Sequence, residues 1–311
     1  MKNIVSVSPH ITSNVTTRKI MLDVLIALSP ALVASVILFG WRALLVTAVC
    51  VAFAVLSEWG FEKICRRDVT VGDLSAAVTG VILAFNLPVG IPLWQAALGS
   101  IVAVVVVKQL FGGIGQNFAN PAATARVILL VAFAGTMTDF TSKVGGVVGQ
   151  NVDAISSATV LSRMDAGAAL PKLTDLLLGN QTGCIGETCV VALVLGGLYL
   201  IARGVITWHA PVAFVGTVFV FTWILGGQPV YQVCSGGLLL GAFFMATDYT
   251  TTPPTKGGRF LFGLGCGLIT VLIRTWGNYA EGVSFSILLM NILTPYISKW
   301  TMHKPVGGVK A

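Results

Sequence analysis

About every twenty residues this chain returns to an apolar run that is long enough, or nearly long enough, to cross a bilayer. Ten such runs lie near residues 20–41, 43–62, 73–88, 92–110, 120–137, 189–203, 210–226, 231–249, 260–276 and 283–299. The third, fifth and sixth are short, as expected of helices that tilt little or break to line a site. Only 10% of the residues are charged, against about 25% in soluble domains. A water-facing globule of 311 residues cannot be covered with so few charges. At 55% hydrophobic residues and a mean hydropathy of +0.88, the chain is also far from a disordered composition. The expected fold is therefore an all-α polytopic membrane protein with about ten transmembrane helices.

The net charge of +7 would hint at nucleic acid in a soluble protein. Here the basic residues lie mostly between apolar runs, so no nucleic-acid partner is expected and the charge reads as topology. Ten crossings put both termini on one side. Thirteen Lys and Arg fall on that side and five on the other, namely Arg42, Lys143, Arg163, Lys172 and Arg274. The excess places the termini on the cytoplasmic side and the polar segment 138–188 outside. That segment divides the chain into residues 1–137, with five runs, and 189–311, with five more. An odd number of crossings per half makes the halves opposite in orientation. Weak self-similarity supports an inverted repeat: TGVILAFNLP around Asn86 aligns with LGAFFMATDYT around Asp248, and Lys108 with Arg274. Repeats of this kind put a site at their interface near mid-membrane.

The six cysteines form no C-x-x-C, so iron–sulfur and zinc frameworks have no support. Cys184 and Cys189 read as two separate small residues, with a disulfide open only to a loop on an oxidising side. No phosphate-cradling P-loop, H-E-x-x-H or nicotinamide fingerprint occurs, so redox chemistry in this chain would belong to a bound cofactor.

Four stretches stand out. Asp153-Ala154-Ile155-Ser156-Ser157-Ala158-Thr159 sets small hydroxyl residues behind an acid, and on spacing alone a turn or helix cap is the simpler reading. Gly112 to Pro121 combines three glycines with Asn117 and Asn120. It suits either a tight helix–helix turn with Asn caps or a carboxamide pair facing a heterocycle edge with C=O and N–H groups. The others are MATDYTTTPPTKGGR (245–259) and YAEGVSFSILLMN (279–291).

Together the four stretches resemble, along the whole chain, the RnfD/NqrB family. Its members are the RnfD component of the bacterial Rnf ion-translocating ferredoxin:NAD oxidoreductase and, more distantly, the NqrB component of the sodium-pumping NADH:quinone reductase. The resemblance implies FMN joined through a phosphoester to Thr159, with Asp153, Ser156 and Ser157 as attachment context and a separate flavin transferase making the bond outside. Val160 stands where this family often has proline. It implies a noncovalent riboflavin at Asn117 and Asn120, and partner subunits holding the iron–sulfur clusters, the NAD site and a second flavin. It also implies coupling to Na⁺ or H⁺. Among the charges inside the spans, Asp23 and Asp248 are the ion-path candidates. A stand-alone secondary transporter or channel of inverted-repeat architecture is the alternative, distinguished by its having no need for the motif ending at Thr159.

Overall fold

The computed structural model describes residues 15–140, 159–277 and 282–302, and among these all regular structure is helical. Asp153, Ser156 and Ser157 lie outside the described residues. Three helices are both long and apolar enough to cross a membrane: α1 (Thr17–Phe39), α2 (Trp41–Ile64) and α13 (Lys256–Trp276), with mean hydropathies of 2.3, 2.0 and 1.4. Thr16 caps α1, and Gly40 at φ 76° interrupts the helix for one residue so that α2 follows at once. α4 (Leu93–Ile101) continues as a π-helix over Val102–Gln109, and α10 (His209–Ile224) and α14 (Val283–Thr301) complete the larger elements. Short helices α6 (Ala134–Met137), α7 (Val160–Asp165) and α8 (Leu173–Leu178) belong to the connecting regions.

The three runs expected to be short are short helices. α3 (Ser75–Phe85), α5 (Pro121–Ala132) and α9 (Val190–Ala202) have 11, 12 and 13 residues. At 1.5 Å per residue they rise about 16–20 Å, well below the roughly 30 Å of a hydrocarbon core. The eighth run, expected as one helix over 231–249, is instead interrupted. It comprises α11 (Pro229–Cys234), then α12 (Leu238–Leu240) continued by a π turn over Gly241–Met245. Gly236 and Gly237, at φ 68° and 67°, break it, because two successive left-handed residues cannot continue a right-handed helix.

The surface suits a bilayer. All seven tryptophans are exposed. Six of them, Trp41, Trp94, Trp208, Trp223, Trp276 and Trp300, stand within two residues of a helix end, where an amphipathic ring meets the headgroups. Between helices the approach is close. A Cβ on Gly263 of α13 would overlap the Ala210 carbonyl of α10, and one on Gly267 would lie 2.9 Å from that of Phe214. Small residues of this kind let backbones pack where lipid offers no hydrophobic drive.

The broken helices meet end to end. α3 stops at Phe85, whose carbonyl accepts from the Gly186 N–H at 3.0 Å, while Leu87 O accepts from Ile185 N–H at 3.0 Å. The Asn86 amide donates to Ile82 O at 2.7 Å and reaches Met245 Sδ at 3.5 Å. The end of α3 is thus closed by residues 185–186, and the Asn86 side chain links it to the π turn.

The α10–α13 seam gives a direct test. Gly263→Leu forces a side chain into the Ala210 backbone, and a clash of this type costs about 1–3 kcal/mol or more. The purified chain should show a lowered Tm in detergent, while leucine at Gly216, which has open space around it, should leave Tm nearly unchanged.

Candidate functional site

A cavity of about 380 Å³ opens among α1, α3, α9, the Gly112–Pro121 loop and the π turn. Small-molecule sites occupy roughly 300–1,000 Å³. Its apolar wall includes Met21, Ile82, Leu200 and Phe243, and its polar side holds Asn117, Asn120 and Asp248. The loop reaches this position because Gly112, Gly113 and Gly115 adopt φ values of 122°, 93° and 88°, which side chains would strain.

Asn120 is the N-cap of α5, with Pro121 at the first helical position. Its Oδ1 accepts from Ala123 N–H at 3.1 Å, and its Nδ2 donates to Met245 O at 3.2 Å across the break. Asn117 Nδ2 donates to Ala119 O at 3.1 Å and reaches Asp248 Oδ2 at 3.5 Å. The cap reading of this loop therefore holds for Asn120. An amide has two N–H and two lone-pair positions, so each side chain still has capacity to turn toward a ligand. Asp248 also accepts from the hydroxyls of Thr250 and Thr251, at 3.1 and 3.3 Å. Asn291 joins the cluster: with its amide oriented to satisfy both groups, it donates to Thr251 O at 3.2 Å and accepts from Asn120 N–H at 2.9 Å.

Asp23 lies elsewhere. Its carboxylate accepts from Tyr199 OH at 3.0 Å and from Arg203 at 3.4 Å, pinning α1 to α9. The two ion-path candidates are thus not brought together.

Lys108 lines the cavity and opens onto a second network. Its ammonium donates to Glu58 Oε1 and Ser75 Oγ, each at 2.5 Å, and Gln109 Nε2 donates to Glu58 at 2.8 Å and to Glu62 at 3.4 Å. Glu62 in turn receives the Thr70 hydroxyl and backbone N–H. Glu58 and Lys108 stand out in the sequence as charges inside apolar runs, whereas Glu62 and Gln109 do not. The one signal for Glu62 is its spacing from Glu58: acids four apart on an apolar helix share one face.

Away from these networks, Thr159 is the N-cap of α7, its Oγ1 accepting from Ser162 N–H at 3.3 Å and lying 3.0 Å from Ser162 Oγ. Val160 occupies the first helical position, where proline is also favoured, so this departure leaves the cap intact. The cap uses Oγ1 as an acceptor, a role that survives esterification of the hydroxyl, so the geometry is compatible with a phosphoester there. Nearby, Arg126, Glu187 and Arg274 are all buried. Burial drives the Glu187 carboxyl above its usual range, opposed by the two guanidinium groups. Arg126 donates to Ser284 Oγ at 3.0 Å and to Cys184 Sγ at 3.7 Å. Burial lifts the Cys184 thiol to about 12, so it is held as an unreactive thiol, and Cys184 and Cys189 form no disulfide. Among the described residues no three His, Cys, Asp or Glu gather to hold a metal.

The Glu58–Lys108 pair is buried, with side chains 0% and 5% exposed. Lys108→Met should destabilise the chain by about 3–5 kcal/mol, because it strands a buried carboxylate. Adding Glu58→Leu to that variant should recover most of the loss, as read from the thermal midpoints of the two proteins.

Residues 4–307 match the model of the NQR2, RnfD, RnfE family. The chain is 45% identical to the D component of the Na⁺-translocating ferredoxin:NAD⁺ oxidoreductase complex of Acetobacterium woodii, over 98% of this chain and 96% of that one. It is 42% identical to the D component of the proton-translocating ferredoxin:NAD⁺ oxidoreductase complex of Clostridium ljungdahlii, over 98% and 97%. It is 35% identical to the corresponding component of the ion-translocating oxidoreductase complex of Halorhodospira halophila, over 97% and 95%.

Proposed function

The chain belongs to the NQR2, RnfD, RnfE family, and from that premise we propose that it is the flavin-carrying membrane subunit of an ion-translocating ferredoxin:NAD oxidoreductase. The observation that carries the flavin reading is Thr159, whose Oγ1 caps α7 by accepting from the Ser162 N–H. A covalent FMN there supplies reversible one- and two-electron chemistry that side chains lack. The helix start of α7 holds the threonine oxygen in a fixed direction, and a separate transferase makes the ester. The 380 Å³ cavity, with an apolar wall and the Asn117–Asn120 pair, suits a noncovalent riboflavin. Its position beside the ends of α3 and the π turn fits a site between two inverted five-helix halves, 1–137 and 189–311, joined by the external segment 138–188.

In this reading about ten helices cross the bacterial inner membrane with termini in the cytoplasm, and lipid surrounds the tryptophan-marked surface. The chain has no iron–sulfur or nicotinamide motif of its own, so partner subunits hold the clusters, the NAD site and the second flavin. Moving one charge through the membrane field involves about 2.3 kcal/mol per 100 mV, which is how electron hops and ion movement exchange energy. The relatives named for Na⁺ and for H⁺ are nearly equally similar to this chain, so one scaffold serves either ion. Asp248, at the cavity, is the stronger ion-path candidate, and Asp23 acts through its contact with Arg203 and Tyr199.

Two measurements test the assignment. The unfolded chain should show an FMN-sized mass increment and a fluorescent band in a denaturing gel, both lost in Thr159→Ala; a band that persists in that variant defeats the Thr159 site. Asn117→Ala should release noncovalent flavin, as read by extraction from the purified chain. Asn120→Ala should release it too and also lower stability by about 1 kcal/mol, the worth of an N-cap. Full retention of extractable flavin in both variants removes the buried site.

A further inference from the structure

A chain of hydrogen bonds leads from the large cavity to the connection between α2 and α3. Lys108 and Ser75 both line the cavity and are only 4% and 6% exposed. The Lys108 ammonium donates to Ser75 Oγ at 2.5 Å, and the Ser75 hydroxyl donates to Asp73 Oδ1 at 2.5 Å. Asp73 is half-buried beside the exposed Gly72. Each donor in the chain points the same way, from the cavity towards the carboxylate.

Two local irregularities build this chain. Leu74 stands at φ 67°, a left-handed conformation that is rare for a bulky side chain. Such strain costs about 1–3 kcal/mol and persists where the surroundings fix it. Here Asp73 Oδ1 on one side of Leu74 accepts both the Ser75 N–H, at 2.8 Å, and the Ser75 hydroxyl. On the other wall the helix widens to a π form over Val102–Gln109, with Leu110 N–H donating to Val105 O and Gly113 N–H to Lys108 O, each at 3.0 Å. Turns of this form recur at functional sites. This one delivers two consecutive side chains, Lys108 and Gln109, to the same oxygen of Glu58 on α2.

A charge pair alone would need no such extension. Glu58 already balances Lys108, whereas Ser75 and Asp73 carry the contact on towards the surface. The other ionisable groups nearby are Glu62, reached through the Gln109 amide, and Arg67, which donates to Gln109 O at 3.2 Å. Asp248 lines the same cavity. An amide does not release its protons as an ammonium or a hydroxyl does, so the branch through Gln109 is closed to proton transfer. A serine hydroxyl has one donor and two lone pairs and can turn between neighbours, so the branch through Ser75 is open.

We propose that Lys108, Ser75 and Asp73 form a proton path between the large cavity and the α2–α3 connection, with Glu58 holding Lys108 in position. In one shift Ser75 Oγ takes a proton from the Lys108 ammonium and gives its own proton to the Asp73 carboxylate. A water or other proton-bearing group in the cavity refills Lys108, and Asp73 releases its proton to bulk water. The net result is one proton moved out of the cavity, with no electron transferred. After the hydroxyl turns, the same path runs inward. The path needs no particular occupant of the cavity and so stands apart from both flavin sites. In the orientation proposed above it opens to the cytoplasm.

The test uses the full chain purified with heavy nitrogen at its lysine side chains. Transfer into heavy water shifts each lysine nitrogen resonance as its protons exchange, and loss of one resonance in Lys108→Arg assigns Lys108. Asp73→Asn keeps an oxygen that can accept from Ser75 but cannot take up a proton. Lys108 exchange should slow several-fold in Asp73→Asn and in Ser75→Ala, and Ser75→Thr should restore the wild-type rate, with Tm reporting that each variant is folded. If Ser75→Ala does not fold, Asp73→Asn decides. Unchanged exchange in a folded Asp73→Asn overturns the path, because water in the cavity then serves Lys108 directly. Equal slowing in Ser75→Ala and Ser75→Thr overturns it too, since packing and not the hydroxyl would then set the rate.

Discussion

A helix that stops inside an apolar slab must close its own open backbone groups, because no water is there to do so. In this chain that requirement organises everything around the large cavity. α3 ends after 11 residues, and its last carbonyls are met by the N–H groups of Ile185 and Gly186. α5 begins at Asn120, whose side chain caps its own helix and at the same time donates to Met245 O at the far break. Each interruption is satisfied by a segment distant in sequence, so the breaks hold the molecule together as well as opening a site within it.

The same logic governs the charges. Each buried ionisable group sits in a network with few exits. Lys108 meets Glu58 and Ser75, Asp248 collects hydroxyl and amide donors, and Glu187 lies between two arginines. In a low-dielectric surround such groups are tolerable only when partnered. The first two networks border the large cavity and the third borders Thr159, so the polar interior is concentrated where cofactors are expected. Asp23, by contrast, serves a helix contact that is partly open to the outside.

Much of this is legible residue by residue. Hydropathy marks the apolar runs, and the three too short to span are the 11-, 12- and 13-residue helices. Capping chemistry acts over three or four residues, so Thr159 and Asn120 can be suspected as caps from their neighbours alone, and both are. The break in the eighth run is not legible, although Gly236-Gly237 is in plain view. Glycine in a membrane helix also serves close packing, and only the backbone angles tell the two uses apart. Glu62 and Gln109 escape notice because Glu62 stands at the last position of its apolar run and Gln109 carries no charge.

What the sequence determined by itself is the class of the protein: a helical membrane chain, with the places where most of its helices stop and the residue types that close them. Those properties follow from local composition and short-range geometry. The tertiary structure decided which stops face each other. Asn117 and Asp248 are 131 residues apart and meet only because two broken helices abut, and Ser235 borders Thr159 only because the glycine turn is pressed against α7. Packing between helices sets these pairings, and no pattern along a single strand of text encodes which of many glycine-lined faces will be chosen.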